Sequence, residues 1–485
     1  MDGKHHDQQL ENQKSSDNMA AGKRNKKKPN ILLEVFGGQM GGERKPDDIS
    51  GSCRSADSAS GLSLSTNDIL KMARKTLIQR RNFDVASILF GGSSDNDDHP
   101  DSSYCLSPEM SDDFELAKLF QGAVLWYEKR DLEKTKWWLN ICQSKASASG
   151  NALHRIVSYF SSALQAKIAR ELGENPEPDA SREANPVKEL VKKLQPELMK
   201  SYQLLPFCQI TDFTAIQALV DNVASARRVH LVDLGIKSAS HWPVLMQALA
   251  ARHDPVELLK LTAVGTAEDN ETGRMLSCFA ESMNIPFEFR LIVSDLKDLR
   301  EDMFELSDDE VVAVYSELHL ASLLPRLDHL VSLLRTIENL NPLVMVVIEI
   351  EAYTDTPIFL ERFDAALSVC AAVFDCLEDC VARDNPCRGF IEGGFIWDAV
   401  RNVIICEGEE RITRHERLDF WRGFLSRFGF VEVALSDIAF CQLNMVVESN
   451  PLWKPSTWER NGQGIIVGWK KTPIKSLSVW KFLHE

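Results

Sequence analysis

The sequence predicts an α/β protein built on a doubly wound, Rossmann-like parallel sheet, with an N-terminal helical cap and a disordered N-terminal tail. Three observations predict it. Residues 229–265 read strand, loop, helix, strand, the opening unit of such a sheet. Apolar runs then alternate with amphipathic helical stretches as far as residue 349. Before residue 206 the pattern is helical or polar, with no strand signal.

Residues 1–65 and 92–110 are rich in Ser, Asp, Gly, Asn and Lys. They carry too little apolar surface to offset chain entropy, so they read as disordered or nearly so. The first tract holds Lys23, Arg24, Lys26, Lys27 and Lys28, a basic cluster that suits a nuclear import receptor. The plainer reading is a solubilising charge run.

Helical spacing begins at Thr66 and covers 66–90, where Ile69, Met72, Leu77 and Ile88 recur. Over 112–127, Leu116, Phe120, Ala123 and Tyr127 form one stripe. Helices over 133–145, 150–172 and 186–203 complete a cap of residues 66–205, flexible at 92–110. Its apolar stripes serve equally as core or as a dimer groove.

The α/β core spans 206–485. Strands are expected at 229–234, 259–264, 286–291, 311–315 and 343–349, and helices at 212–225, 242–252, 271–284, 318–338 and 357–380. Thr356 and Pro357 supply the cap and first helical position of the last of these. Helices near 412–427 and 436–448, a strand at 429–433 and a hairpin follow. The hairpin joins Ser456–Arg460 to Gly464–Trp469 through Asn461-Gly462, which provides positive φ angles. Five parallel strands followed by a C-terminal hairpin is, by analogy, the order of a methyltransferase-type sheet.

Composition narrows the function. The 485-residue chain is 44% hydrophobic with a formal charge of −16. So acidic a chain disfavours broad nucleic-acid binding and favours basic protein partners, though inert soluble proteins are acidic too. Eleven cysteines include no CxxC pair, and Cys370, Cys376, Cys380 and Cys387 lie nearest one another, so no metal site is expected. The N-terminus has no apolar signal core, and no run approaches the length of a membrane span.

The first strand ends in Asp233, placed where a ribose or a partner's donor group can reach it. The loop that should cradle a cofactor keeps Gly235 but continues Lys237, Ser238, Ala239, Ser240. Side chains there crowd the backbone approach that S-adenosylmethionine needs. After the second strand comes Gly265-Thr266-Ala267, with Glu268 one step late for a ribose contact. No cofactor is therefore expected. His230 and Asp233 point to opposite faces of one strand and cannot act as an acid–base pair. His230 reads as buried and hydrogen-bonded.

These segments, in this order, resemble the GRAS family of plant transcriptional regulators. Val229, His230, Leu231, Val232 and Asp233 look like the family's VHIID motif, followed by Trp242-Pro243 and Gln247-Ala248-Leu249. Phe213-Thr214-Ala215 and Gln217-Ala218 match its lead-in helix. Thr272-Gly273-Arg274 and Pro286-Phe287-Glu288-Phe289 resemble the second leucine-rich region. Glu349, Glu351, Arg362 and Phe363 match the PFYRE region. Cys406-Glu407-Gly408, Arg411, Arg414, Glu416, Trp421-Arg422, Gly429-Phe430, Gly468-Trp469 and Ser478-Val479-Trp480 match the SAW region. The usual Gln-Gly-x-Gln before Trp-Pro is replaced by Ser238-Ala239-Ser240-His241, and no Asp-Glu-Leu-Leu-Ala occurs in the tail, so that tail does not resemble a DELLA repressor's.

The resemblance implies a nuclear, non-enzymatic regulator that forms homo- or heterodimers with other GRAS-family proteins. It implies assembly with DNA-binding transcription factors, contact with DNA being indirect and with membranes none. Direct sequence-specific DNA recognition, small-molecule methyl transfer and the binding of a small ligand in a vestigial pocket are the rivals. Candidates for partner binding or for bracing the cap are Arg274, Glu349, Glu351, Arg362, Arg411, Arg414, Glu416, Trp421, Arg422, Trp469 and Trp480. Arg411, Arg414, Glu416, Arg417 and Arg422 are expected on one charged helix, either a solvated face or a docking surface. Among Trp453, Trp458, Trp469 and Trp480, most are expected in the core.

Overall fold

The computed structural model describes residues 64–79, 108–174, 204–236 and 239–482. The import cluster, the helix expected over 186–203, the end of that over 66–90, and Lys237 and Ser238 lie outside the described residues.

Four helices open the described chain: α1 (Thr66–Gln79), α2 (Pro108–Glu128), α3 (Leu132–Lys145) and α4 (Ala152–Glu171). Helix α2 takes in 108–110, which the sequence placed in a flexible stretch. Asp131 and Asn151 cap α3 and α4 by accepting the N–H of Lys134 and His154. The long helix α9 (Phe359–Cys380) receives this layer: Phe120 and Phe160 pack on Phe363, with ring centroids 6.2 and 5.5 Å away. Buried Asp375 accepts from the Thr66 hydroxyl at 2.6 Å and from its N–H at 2.8 Å, fastening α1 to α9.

Helix α5 (Pro206–Asn222) then leads into β1 (Arg228–Asp233), α6 (Trp242–Ala250), β2 (Leu258–Gly265), α7 (Asn270–Ser282), β3 (Phe287–Val293) and β4 (Val311–Glu317). After α8 (Leu327–Asn339) and β5 (Val344–Ile350) comes α9, then α10 (Pro386–Phe390), a π-turn (Ile391–Ile396) and α11 (Trp397–Ile404). Helix α12 (Leu418–Leu425), β6 (Phe430–Val433), α13 (Asp437–Ser449), β7 (Ser456–Asn461), β8 (Gly464–Trp469) and β9 (Thr472–Phe482) complete the described chain.

One sheet runs β3-β2-β1-β4-β5-β9-β8-β7, with β6 also paired to β9. Strands β1 to β5 are parallel, and β9 joins β5 antiparallel. This is the doubly wound, methyltransferase-type architecture. Alternation along β1 sends Val229 and Leu231 into one apolar core and Val232 and Leu234 into the other, as a sheet covered on both faces requires.

Four expectations need correction. The helix over 318–338 is broken: a short 3-10 turn at Leu320–Ser322 ends before Pro325, and α8 begins at Leu327, because proline removes a backbone donor. Helix α9 starts at Phe359, two residues late, although the Thr356 hydroxyl still accepts the Ile358 N–H and donates to Glu361 across the first turn. In the hairpin, Asn461 pairs with Gly464, and Gly462 alone takes positive φ. Residues 411–417 are extended, so the charged helix over 412–427 shrinks to Leu418–Leu425. Helices α10 and α11 and strand β9 were not expected.

Candidate functional site

Strand order reverses between β1 and β4, and in such sheets the ligand crevice opens at the carboxyl ends there. Asp233 closes β1 but is 1% exposed. Its Oδ1 accepts the Gly235 N–H and its Oδ2 the Trp242 indole N–H, both at 3.0 Å. The carboxylate is turned inward onto its own loop and helix, not offered to a ribose or a partner.

The cofactor turn is filled from within. The His319 ring, just beyond β4, occupies the space that a Cβ on Gly235 would need, and its Nε2 lies 3.2 Å from the Gly235 carbonyl oxygen. After β2, Asp269 fills the corresponding space over Gly265 and accepts from the Thr266 N–H (2.7 Å) and hydroxyl (3.1 Å). S-adenosylmethionine needs close backbone approach at these turns, and the residues present do not fit it. An open cleft of about 910 Å³ remains beside them, lined by Thr266, Ser294, Lys297, His319 and Arg326 among others.

On the opposite face His230 is fully buried, with Nε2 2.7 Å from the Thr262 hydroxyl and Nδ1 3.1 Å from Glu310. Burial, then Lys260 and Arg290, push its pKa down to about 3, so the ring is neutral and structural.

The extended segment 411–417 is the second feature of the crevice. It lies as a strap across the carboxyl ends of β4 and β5. Arg414 N–H donates to the Ala321 carbonyl at 3.1 Å, while Thr354 N–H donates to the His415 carbonyl (2.9 Å) and His415 N–H to the Thr354 hydroxyl (2.8 Å). The Arg411 guanidinium donates to the Thr354 carbonyl, and Arg414 pairs with Asp355 at 3.1 Å. From α11, Asn402 accepts the Ile412 N–H at 2.9 Å and donates to the Thr413 carbonyl at 2.6 Å. Glu351 receives the Leu418 N–H where the strap enters α12.

Of the remaining candidates, Glu349 is buried and accepts from the Leu320 and Ala321 N–H groups. Arg362, 2% exposed, donates to the Val403 and Pro357 carbonyls and to Glu407, which also holds Lys167 of α4 at 2.6 Å. Arg422 bridges Glu432 and the Asn461 carbonyl. Trp421, Trp469 and Trp480 are core residues, at most 1% exposed, which removes them from any surface that a partner meets without rearrangement. Trp453 and Trp458 are half-buried. Arg274 stands in solvent beside Glu271. His319, Asn402, Lys167 and the second role of Glu407 were missed. Each acts through a partner ten or more residues away, which no local pattern discloses.

Glu416 gives the strap a pH signature. Burial, and then repulsion from Asp355, push its carboxyl from 4.5 up to about 7. Between those values the folded protein holds a proton that the unfolded chain has released. The group's favourable contribution is therefore complete below pH 4.5 and lost as pH rises through 7. Glu416→Gln should stabilise the protein by about 2 kcal/mol at pH 8 and leave it unchanged near pH 4.5. Thermal melts at the two pH values check this, and an equal gain at both would refute the assignment.

Among the described residues, no group of three or more His, Cys, Asp or Glu is placed to hold a metal ion, and no helix is long and apolar enough to cross a membrane.

Comparison with known proteins gives one consistent answer. The GRAS domain family matches residues 116–481. The grape (Vitis vinifera) protein named DELLA protein GAI1 is 31% identical over 348 residues, covering 70% of this chain and 57% of that one. The Arabidopsis thaliana DELLA protein RGL3 is 30% identical over 346 residues, covering 70% and 64%. The chain thus spans less than two thirds of these relatives. The crystal structure of SCL7 from rice (Oryza sativa) superposes with a TM-score of 0.63 at 24% identity, covering 71% of this chain and 93% of that one.

Proposed function

The chain belongs to the GRAS domain family, and from that premise we propose that it is a nuclear, non-enzymatic regulator of transcription acting through protein–protein contact. In this reading it dimerises with other GRAS-family proteins and engages DNA-binding transcription factors. Residues 1–65 carry the import signal at Lys23, Arg24, Lys26, Lys27 and Lys28. Residues 66–205 form the helical cap and 206–485 the α/β core. The cap is braced to the core by Lys167, Glu407 and Arg362, while exposed Arg274 is the candidate left to face a partner.

The observation that carries the non-enzymatic part is the filled turn. His319 packed on Gly235 and the inward carboxylate of Asp233 take up two contacts that a methyl donor would use, although the cleft beside them stays open. The acidic charge of the chain supports indirect contact with DNA.

Affinity purification from plant nuclei followed by mass spectrometry tests the proposal. Transcription factors and GRAS-family proteins should co-purify. Recovery of metabolic enzymes alone, or micromolar binding of S-adenosylmethionine by calorimetry, would overturn it.

A further inference from the structure

Behind the strap, separate from the cofactor-type cleft, lies a second cavity of about 380 Å³. Ile412 lines both spaces, so residues 411–417 divide them. The back wall is one face of α9, where Ala366, Val369, Cys370 and Val373 recur at helical spacing. Phe207 and Ile474 close another side, and the π-turn supplies Ile391, Phe395 and Ile396. A π-turn inserts a residue into a helix and recurs where function demands irregular backbone; here Gly393 and Gly394 sit within it.

Asp398 and His415 stand at the mouth, where Asp398 is exposed to solvent, and the polar groups further in are already committed. Asn402 and Thr354 hold the strap by the hydrogen bonds described above. Lys475, 2% exposed, lines the cavity and donates to Glu317 at 2.7 Å. Burial, then Glu317, raise Asp212 beside them well above the carboxylate range, and burial raises the Cys208 thiol to about 12. The Lys475–Glu317 ion pair thus occupies this end of the cavity. Inside the mouth the one lining charge, Lys475, is already paired, so an ionic ligand would be buried there without a counter-charge, whereas the ammonium retains donor capacity for a neutral acceptor.

The geometry points to a binding site for one compact, uncharged, largely hydrocarbon molecule, with a carbonyl or hydroxyl oxygen directed at Lys475. At interior packing density the volume holds about 15 non-hydrogen atoms. Its roof is the strap, so occupancy and strap order are coupled.

The test uses the full chain and the neutral naphthyl ketone 6-propionyl-2-dimethylaminonaphthalene, whose emission shifts to the blue in apolar surroundings. Saturable binding of one molecule per chain is expected. Val369→Phe and Val373→Phe fill the cavity and should each weaken it at least tenfold, with melting curves confirming that they fold. Ser294→Trp in the neighbouring cleft should leave it unchanged. A photoreactive diazirine analogue should label peptides of α9 or the π-turn, a readout independent of the variants. The inference is overturned by absence of saturable binding, by folded filling variants that bind normally, by loss on Ser294→Trp alone, or by labelling elsewhere.

Discussion

Replacing Asp233 by alanine should cost about 2–4 kcal/mol of folding stability, because one truncation strands the buried Trp242 indole N–H and the half-buried Gly235 N–H. The carboxylate is 1% exposed and accepts from Gly235 and Trp242 at 3.0 Å each. Alanine cannot accept, and the buried Trp242 indole has no solvent to take the carboxylate's place, whereas Gly235 borders the open cleft. Asparagine keeps one acceptor and should fall between. Urea unfolding monitored by tryptophan fluorescence would show a lower midpoint with an unchanged slope. A loss under about 1 kcal/mol would mean that the loop after β1 relaxes and that Asp233 is not its anchor. Partner binding should fail in this variant because the loop is lost. The motif is then a folding determinant, and assays that score binding alone would misread it as a contact surface.

Arg362→Ala should cost about 3 kcal/mol and loosen the cap from the core. The guanidinium lies on α9, 2% exposed, and ties together the Pro357 carbonyl, the Val403 carbonyl of α11 and Glu407. Glu407 in turn holds Lys167 of α4 at 2.6 Å. Burial alone would raise the Glu407 carboxyl, yet Lys167 and Arg362 together hold it below its ordinary range, the sign of a carboxylate kept ionised between two cations. Lysine at 362 presents a single point donor in place of the planar fork and should rescue little. A double-mutant cycle with Lys167→Met should give a coupling of about 0.5–3 kcal/mol. Strict additivity would show that the two cations act separately and that no brace exists. Hydrogen exchange offers a second check: amides of α4 and α11 should lose protection together.

The elements easiest to read from sequence were those whose pattern is local. Strand β1 announces itself by a run of apolar residues closed by an acid, and α9 by Phe359, Phe363, Ala366 and Cys370 on one face. What stayed hidden was set by distant partners. Residues 411–417 are mostly polar and basic, a composition that fits a helix as well as an extended strand. Only Thr354, Asn402 and Ala321, far away in the chain, decide the matter by supplying hydrogen bonds to the extended form. Asp233 was placed correctly at the strand end, yet its direction depends on Trp242 and Gly235. The filling of the turn was expected from Lys237 and Ser238. The residue seen to fill it is His319, more than eighty positions later. Strand β9 escaped notice because Pro473 and Lys475 interrupt its apolar alternation, and Lys475 is tolerated inside only because Glu317 meets it.

That last strand carries a consequence for biosynthesis. Residues 472–482 slot between β5 on one side and β8 and β6 on the other. Until they emerge from the ribosome, the outer edge of β5 is a bare row of backbone donors and acceptors, and the nascent chain cannot close its sheet. A stop codon just before Thr472 would therefore leave that edge permanently open, and during synthesis it needs shielding from the completion of β5 until residues 472–482 appear.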